Sequence, residues 1–84
     1  MVVLWEKALK VTPVRARIKE LRARDGLRQE DLARKVGCRR ETISFVENGE
    51  YNPSLLLAVK IARVFEASVE EVFQYDEDEL KLNL

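Results

Sequence analysis

The strongest constraint on the fold is the spacing of small and apolar residues between Gln29 and Asn48. Ala33 lies within the first of two short helical patterns, and Gly37 ends that pattern. An alanine side chain lets a neighbouring helix approach closely, and glycine tolerates the positive φ of a sharp turn. Apolar residues are spaced to close the wedge between the two patterns: Leu32, Val36, Cys38, Ile43 and Val46. The segment therefore predicts two helices that cross steeply through a tight turn.

Helical signals continue on both sides of this segment. Thr12-Pro13 predicts the start of a first helix, because a capping hydroxyl precedes proline at the first helical position. Asp25-Gly26 predicts its end, and Ser68 with Glu71 forms the pattern of a capping box. The sequence predicts an all-α fold whose five helices lie at about residues 13–24, 29–36, 40–48, 54–65 and 69–73.

The two ends carry weaker patterns. The segment from Val2 to Trp5 is apolar, and Leu80, Leu82 and Leu84 alternate with polar residues. Fraying or local packing is favoured at each end, with short terminal strands as the alternative, and both ends are candidates for dimer contacts. The expected organisation is an N-terminal extension at 1–12, a domain at 13–74, and an acidic then apolar tail at 75–84.

Composition excludes several classes of function. The 84 residues include no histidine, one cysteine and no apolar run long enough to span a membrane. Disulfide frameworks, Cys/His zinc sites and histidine-based catalysis are therefore excluded, and no glycine-rich phosphate loop is present. We expect a protein that is not an enzyme, with no cofactor and no metal. The N-terminus lacks a signal-peptide layout, which predicts a cytoplasmic location.

The formal net charge is zero, but the charges are unevenly distributed. Residues 13–49 carry ten basic and six acidic side chains, a balance of +4, whereas residues 50–84 carry three basic and eight acidic ones, a balance of −5. Zero net charge argues against a nucleic-acid partner, since phosphate binding requires surplus Lys and Arg. The basic half favours an electrostatic partner, and ordinary solvated helix faces are the alternative.

A series of motifs in order from about Arg17 to Phe73 carries a family resemblance. These motifs are Ile18-Lys-Glu-Leu-Arg22, Gly26-Leu-Arg-Gln29-Glu-Asp-Leu-Ala33, Glu41-Thr-Ile-Ser44, Glu47-Asn-Gly49, Asn52-Pro-Ser-Leu55, Lys60-Ile-Ala62 and Ser68-Val-Glu-Glu-Val-Phe73. Through these motifs the chain resembles the Cro/cI-type, phage-repressor-like family of helix-turn-helix regulators, which is also called xenobiotic-response-element-like. The resemblance implies a five-helix, lambda-repressor-like DNA-binding domain whose third helix enters the major groove.

Helix geometry selects the face of the third helix that would read DNA, because Ile43 and Val46 point inward. The candidate residues on that face and at its tip are Arg39, Arg40, Glu41, Ser44 and Phe45. Either arginine can bind phosphate or form two hydrogen bonds to a guanine edge. Glu41 can accept a hydrogen bond from cytosine or orient Arg40. Ser44 is short and adaptable, and Phe45 can contact a thymine methyl group or pack partly buried.

The resemblance also implies contacts to the DNA backbone. Gln29 matches a family glutamine that contacts phosphate and braces the reading helix, with a plain polar first-turn residue as the alternative. The loop after the third helix matches a segment that meets phosphate, and its candidate donors are Asn48, Tyr51 and Asn52. Arg22 and Glu47 correspond to a family ion pair that orients the reading helix, although Arg22 could instead face solvent.

The chain departs from the family pattern at three positions, and Cys38 occupies an apolar family position. Arg28 and Arg39 replace the Ser or Thr that commonly caps the second and third helices, and a cation there opposes the helix macrodipole. Both arginines are expected to face DNA, so we expect phosphate to compensate them. Glu66 replaces a glycine common after the fourth helix, and we expect the local backbone to differ there. Cys38 is expected to be a buried small hydrophobe rather than a redox switch.

These observations predict a sequence-specific DNA-binding transcriptional regulator without enzymatic activity. The expected partner is double-stranded DNA, bound as a homodimer on a palindromic operator, and repression is favoured because no activation domain fits in the chain. The alternative is an antitoxin-type protein-interaction module whose termini bind a protein partner and which also autoregulates by binding DNA. The acidic residues 76–79 are expected to form a solvated tail.

Overall fold

In the described part of the chain, the computed structural model contains five α-helices, two short strands and one 3₁₀ turn. The structure describes residues 14–75 and 77–82. The elements are β1 (Val14–Ala16), α1 (Ile18–Asp25), α2 (Gln29–Val36), α3 (Arg40–Glu47), α4 (Leu55–Val64), α5 (Val69–Val72), β2 (Phe73–Tyr75) and a 3₁₀ turn (Glu77–Leu80). The predicted five-helix architecture is confirmed, with a two-stranded sheet added to it.

The predicted start of the first helix at residue 13 is wrong. Val14–Ala16 forms a strand that pairs antiparallel with Phe73–Tyr75, and the helix begins only at Ile18. The Arg17 amide donates to the Val72 carbonyl at 2.7 Å, which extends the link between the two ends of the domain. The partner strand lies almost sixty residues away, so the local pattern could not reveal it. Thr12-Pro13, on which the prediction rested, lies outside the described residues.

The alternation of leucines near the C-terminus does not form a strand in the part that the structure describes. Leu80 ends the 3₁₀ turn, and Leu82 lies beyond it without regular structure. The strand of this region is β2, which precedes these residues. Leu84 and the apolar segment from Val2 to Trp5 lie outside the described residues.

The ends of the helices follow the predicted local chemistry. Gly26 and Gly37 both take left-handed φ values, 68° and 76°, at the C-caps of α1 and α2. The capping box is confirmed, because the Ser68 hydroxyl accepts from the Glu71 amide at 3.1 Å and the Glu71 carboxylate accepts from the Ser68 amide at 2.9 Å. The Ser68 backbone N–H is the main reason that the pKa of Glu71 lies below its usual value.

The turn after α4 contains Glu66, the residue at which we expected the local backbone to differ. Glu66 has φ 54° and is the non-glycine residue with positive φ among those described. This left-handed conformation is the one that glycine favours and that a Cβ atom penalises. The chain therefore keeps a glycine-like turn at this position with a glutamate in it, which strains the backbone.

Replacing Glu66 with glycine is expected to raise the free energy of unfolding by about 1 kcal/mol, because the Cβ penalty of the left-handed conformation is removed. Chemical denaturation of the two proteins measures the difference. Glu66→Ala is the matched control, since it removes the carboxylate but keeps Cβ, and it should give no gain. A glycine variant no more stable than the alanine variant would contradict the expectation.

The core lies where the helices meet. Its buried residues are Ile18, Leu21, Leu32, Ala33, Val36, Ile43, Val46, Ala58, Ile61, Ala62, Phe65, Val72 and Phe73. Helix α2 packs against both α3 and α4, and α5 packs against α4. This arrangement buries the inner face of α3 and leaves its outer face exposed in the part of the chain that the structure describes.

Candidate nucleic-acid interface

The turn between α2 and α3 has the geometry that its small residues require. Ala33 is almost fully buried where α2 contacts the core, and its carbonyl accepts from the Cys38 amide at 2.9 Å. Gly37 supplies the left-handed turn with φ 76°. Cys38 packs partly buried against the core, and burial raises the pKa of its thiol. These properties fit a small apolar residue rather than a reactive thiolate.

Helix α3 has one buried and one exposed face, as its spacing predicts. Ile43 and Val46 are buried in the core. The candidate reading residues Arg40 and Glu41 are exposed, as is Arg39 just before the helix, while Ser44 is half-buried. Phe45 is 49% exposed, so its ring is available for contact instead of belonging to the core. The structure therefore brings the five candidates together on one surface.

A hydrogen-bonded chain of four side chains links α1, α2 and α3. Arg22 contacts the Glu47 carboxylate twice, with Nε to Oε2 at 2.6 Å and Nη2 to Oε1 at 3.2 Å. Gln29 Nε2 donates to Glu47 Oε1 at 3.0 Å, and Arg40 Nη1 donates to Gln29 Oε1 at 3.2 Å. We call these four residues the positioning chain.

The chemistry of Glu47 fixes the donor and acceptor of each hydrogen bond in the positioning chain. An ionised carboxylate only accepts hydrogen bonds, so it selects the amide nitrogen of Gln29 and turns the amide oxygen toward Arg40. The Arg22 side chain is only 14% exposed and that of Glu47 only 5%, so little solvent competes with the pair. The positioning chain therefore ties the orientation of an exposed arginine on α3 to a nearly buried ion pair.

The N-terminus of α2 differs from the sequence-based expectation. Arg28 occupies the N-cap and its guanidinium has no acceptor to offer, so it cannot cap an amide. Its own backbone N–H instead donates to Asp31 at 2.9 Å, and its side chain pairs with Asp31 at 3.2 Å and with Glu30 at 3.1 Å. That backbone N–H is the largest cause of the lowered pKa of Asp31. In the free chain, two first-turn carboxylates therefore already compensate Arg28, which the sequence did not lead us to expect.

Arg39 occupies the same position at the start of α3 without such compensation. It adopts an extended backbone, with φ −85° and ψ 152°, and makes no capping hydrogen bond with its side chain. Within the described part of the chain, no hydrogen bond or ion pair engages its guanidinium. Arg39 is thus an exposed cation at the positive end of the helix macrodipole.

The loop after α3 continues the same surface. Asn48 is the C-cap of α3, and its backbone N–H donates to the Ser44 carbonyl at 3.0 Å. Tyr51 is 48% exposed and Asn52 is exposed. Since these three candidates follow the C-terminal end of α3 directly, they extend the surface beyond the helix.

Sequence reasoning missed two features of this interface. It did not identify Asp31 as the partner of Arg28, although an acidic residue three positions after an N-cap is a recognisable capping signal. It also did not foresee that Gln29 joins Glu47 to Arg40. No local pattern could have shown this link, because Gln29 and Glu47 are 18 positions apart and meet only through the fold.

Replacing Arg39 with serine is expected to raise the free energy of unfolding by about 1 kcal/mol, since a hydroxyl caps α3 and the cation is removed. Arg28→Ser should gain less, because it also loses the pairs with Asp31 and Glu30. Both variants should bind DNA more weakly. The slope of log K against log salt concentration should fall in magnitude by about one for each variant, because one phosphate contact is lost. Thermal melts and salt titrations of binding measure these effects, and unchanged affinity in both variants would contradict the assignment.

The described residues contain no cluster of three or more potential ligands arranged to hold a metal ion. None of the helices there combines the length and the apolar character needed to cross a bilayer.

Comparison with known proteins gives consistent matches. A family model described as helix-turn-helix matches residues 18–72. A protein from Archaeoglobus fulgidus named an uncharacterized HTH-type transcriptional regulator is 61% identical over 67 residues, which cover 80% of this chain and 96% of that protein. A similarly named protein from Methanocaldococcus jannaschii is 49% identical over 63 residues, which cover 75% of this chain and 96% of that protein.

A solved structure shows the same likeness in three dimensions. The restriction-modification controller protein C.AhdI from Aeromonas hydrophila is 38% identical, with a TM-score of 0.61 over 66% of this chain and 83% of that one. The residues matched by the family model begin with α1 and end with α5, so they include the whole of α2, the turn and α3.

Proposed function

The chain belongs to the Cro/cI-like helix-turn-helix family of DNA-binding transcriptional regulators, and we propose that it is a repressor that binds a palindromic operator as a homodimer. The observation that supports DNA reading by α3 is the positioning chain, in which Gln29 accepts a hydrogen bond from the exposed Arg40. Residues 13–74 form the DNA-binding domain in this proposal, with an extension at 1–12 and a tail at 75–84. The protein acts in the cytoplasm.

Helix α3 enters the major groove, which is wide enough for an α-helix and presents a distinct pattern of donors and acceptors for each base pair. Arg40 has the fork of donors that matches the O6 and N7 atoms of guanine. Glu41, Ser44 and Phe45 lie on the same surface and contact neighbouring bases. Arg39, at the start of the helix, is placed to bind phosphate beside the groove.

Gln29 contributes to both positioning and backbone contact. A primary amide nitrogen carries two N–H groups, and one of them donates to Glu47. The second is available to a phosphate oxygen without breaking the positioning chain. Arg28 and the loop residues Asn48, Tyr51 and Asn52 supply the remaining phosphate contacts, which fix the register of the protein on the duplex.

Repression needs nothing beyond this binding, because a protein that occupies a promoter excludes polymerase by its presence. Two copies related by a two-fold axis place their α3 helices in successive major grooves, about 34 Å apart. The basic balance of residues 13–49 attracts DNA, while the acidic balance of residues 50–84 weakens binding to arbitrary sequences. Non-specific affinity should therefore be modest and strongly salt-dependent.

Selection of bound sequences from a random DNA pool tests this function. The purified full-length protein should enrich a palindromic consensus whose half-site centres are separated by one helical turn. Recovery of nothing above background would refute sequence-specific binding. A consensus without two-fold symmetry would refute the homodimer on a palindrome while keeping DNA recognition.

A further inference from the structure

One acidic side chain of the two interface helices has no cationic partner. The other acidic residues of α2 and α3 form ion pairs with arginines: Glu30, Asp31 and Glu47. Glu41, in the first turn of α3, is exposed, and within residues 14–75 and 77–82 no hydrogen bond or ion pair engages its carboxylate. Phosphates repel an unpaired carboxylate on a surface that approaches DNA. Glu41 therefore lowers the affinity for every sequence that offers it no donor.

The orientation of Arg40 does not involve this carboxylate. Arg40 Nη1 donates to Gln29 Oε1 at 3.2 Å, and no ion pair joins Arg40 to Glu41 in the described structure. Successive residues of an α-helix point in different directions and do not face each other. Of the two roles that the sequence leaves open for Glu41, contact with a base and orientation of Arg40, the structure thus favours contact with a base.

The chemistry of a carboxylate restricts which base it can contact. An ionised carboxylate only accepts hydrogen bonds, and the major-groove edges of guanine and thymine present acceptors. Adenine presents its N6 donor beside the N7 acceptor, which repels a second carboxylate oxygen. Cytosine presents the N4 amino group as a donor and no acceptor. Cytosine is therefore the base that an unpaired carboxylate in the major groove selects.

We propose that Glu41 is a specificity-determining residue, whose carboxylate accepts a hydrogen bond from the N4 amino group of one cytosine in each half-site. This inference rests on the proposed function, because it requires α3 to lie in the major groove. It goes beyond that function by assigning the base. It also gives the carboxylate a second effect, since any other base at that position leaves the charge without a donor and is selected against.

The aromatic ring of Phe45 favours this contact. Phe45 follows Glu41 by four positions, so the two side chains are neighbours on one face of α3. The ring is 49% exposed and lies on the surface that approaches the bases. When α3 enters the groove, the ring displaces water from this face, and a hydrogen bond in a less polar environment is stronger.

Glu41 and Glu50 provide a matched pair of variants. Glu41→Gln keeps the shape of the side chain but replaces the carboxylate with an amide, whose donor and acceptor match N6 and N7 of adenine. Glu50 is also exposed and lies in the loop after α3, and the described structure gives its carboxylate no partner. Glu50→Gln therefore removes the same charge near the same surface without changing α3.

Selection from a random DNA pool with the wild-type protein and the two variants tests the assignment. The wild-type consensus should contain a cytosine in each half-site whose replacement by any other base weakens binding about 10-fold. Glu41→Gln should change the preferred base at that position to adenine and leave the other positions unchanged. Glu50→Gln should keep the cytosine. Binding isotherms on four duplexes that differ only at this position measure the preference, and thermal melts verify that both variants are folded.

Three results would overturn the inference. If Glu41→Gln keeps the wild-type consensus and binds operator and scrambled duplexes more tightly by the same factor, as expected for Glu50→Gln, Glu41 acts through its charge alone. If the wild-type consensus contains no position that requires cytosine, the carboxylate reads no base. Both results leave the proposed function intact. A wild-type protein that enriches no sequence would refute the proposed function together with the inference.

Discussion

Replacing Glu47 with alanine is expected to lower the free energy of unfolding by about 3–5 kcal/mol, the range found when one partner of a buried ion pair is removed. The substitution leaves the Arg22 guanidinium, only 14% exposed, with the Leu27 carbonyl at 3.1 Å as its remaining hydrogen-bond acceptor in the described structure. It also frees Gln29 from its acceptor. The cost comes from a charge held away from water without compensation, and chemical denaturation measures it.

Two controls separate this cost from a general effect of removing a carboxylate. Glu20→Ala breaks an exposed ion pair with Arg17 at 3.4 Å, and it should cost less than about 1 kcal/mol. In a double-mutant cycle, the variant that carries both Arg22→Ala and Glu47→Ala should lose much less free energy of unfolding than the two single variants lose together, because no unpaired charge remains. A loss below about 1 kcal/mol for Glu47→Ala would contradict the positioning role.

Replacing Arg40 with alanine is expected to weaken binding to the selected operator by about 10- to 100-fold without changing the stability of the free protein. A bidentate contact to guanine contributes about 1–3 kcal/mol of discrimination. Arg40 is exposed, and the one hydrogen bond of its side chain in the described structure is to Gln29 at 3.2 Å, so we expect little effect on the fold. Binding isotherms on the operator and on a scrambled duplex measure the loss.

Arg63→Ala is the matched control for Arg40→Ala. It removes the same charge from an exposed position in the last turn of α4, at the opposite end of that helix from the loop that follows α3. Both variants should lose a little affinity for scrambled DNA, but only Arg40→Ala should lose its preference for the operator. Equal losses on both duplexes for both variants would mean that Arg40 acts by charge alone.

The part of the fold carried by local signals could be predicted from the sequence. The prediction for α2 at 29–36 agrees with Gln29–Val36, and the prediction for α3 at 40–48 differs from Arg40–Glu47 by one residue. The glycines that end α1 and α2, the spacing of apolar residues and the Ser68 capping box are all local signals. Each can be recognised from a few neighbouring residues. Such signals also identified which face of α3 is exposed.

Features that depend on distant partners could not be predicted in the same way. Val14–Ala16 is a strand because Phe73–Tyr75 pairs with it, and no periodicity near residue 14 contains that information. The family resemblance suggested that Arg22 and Glu47 meet, but the link through Gln29 to Arg40 required the structure.

The zero net charge shows how composition alone can mislead. It suggests a protein with no attraction for DNA, yet the basic side chains concentrate in residues 13–49, which contain both helices of the interface. Specificity in such a protein depends on a few well-placed groups, because the surplus charge available for phosphate is small.

The central claim is that Arg40 on α3 reads a base edge in the major groove. Its most direct test is a double-mutant cycle between the protein and the DNA. The cycle combines Arg40→Ala with replacement of each operator guanine in turn by 7-deazaguanine. That base lacks the N7 acceptor but pairs normally. At one guanine per half-site the two changes should be coupled by about 1–3 kcal/mol, so that the deaza base weakens the wild-type protein but not the variant. Additive effects at every guanine would contradict the claim.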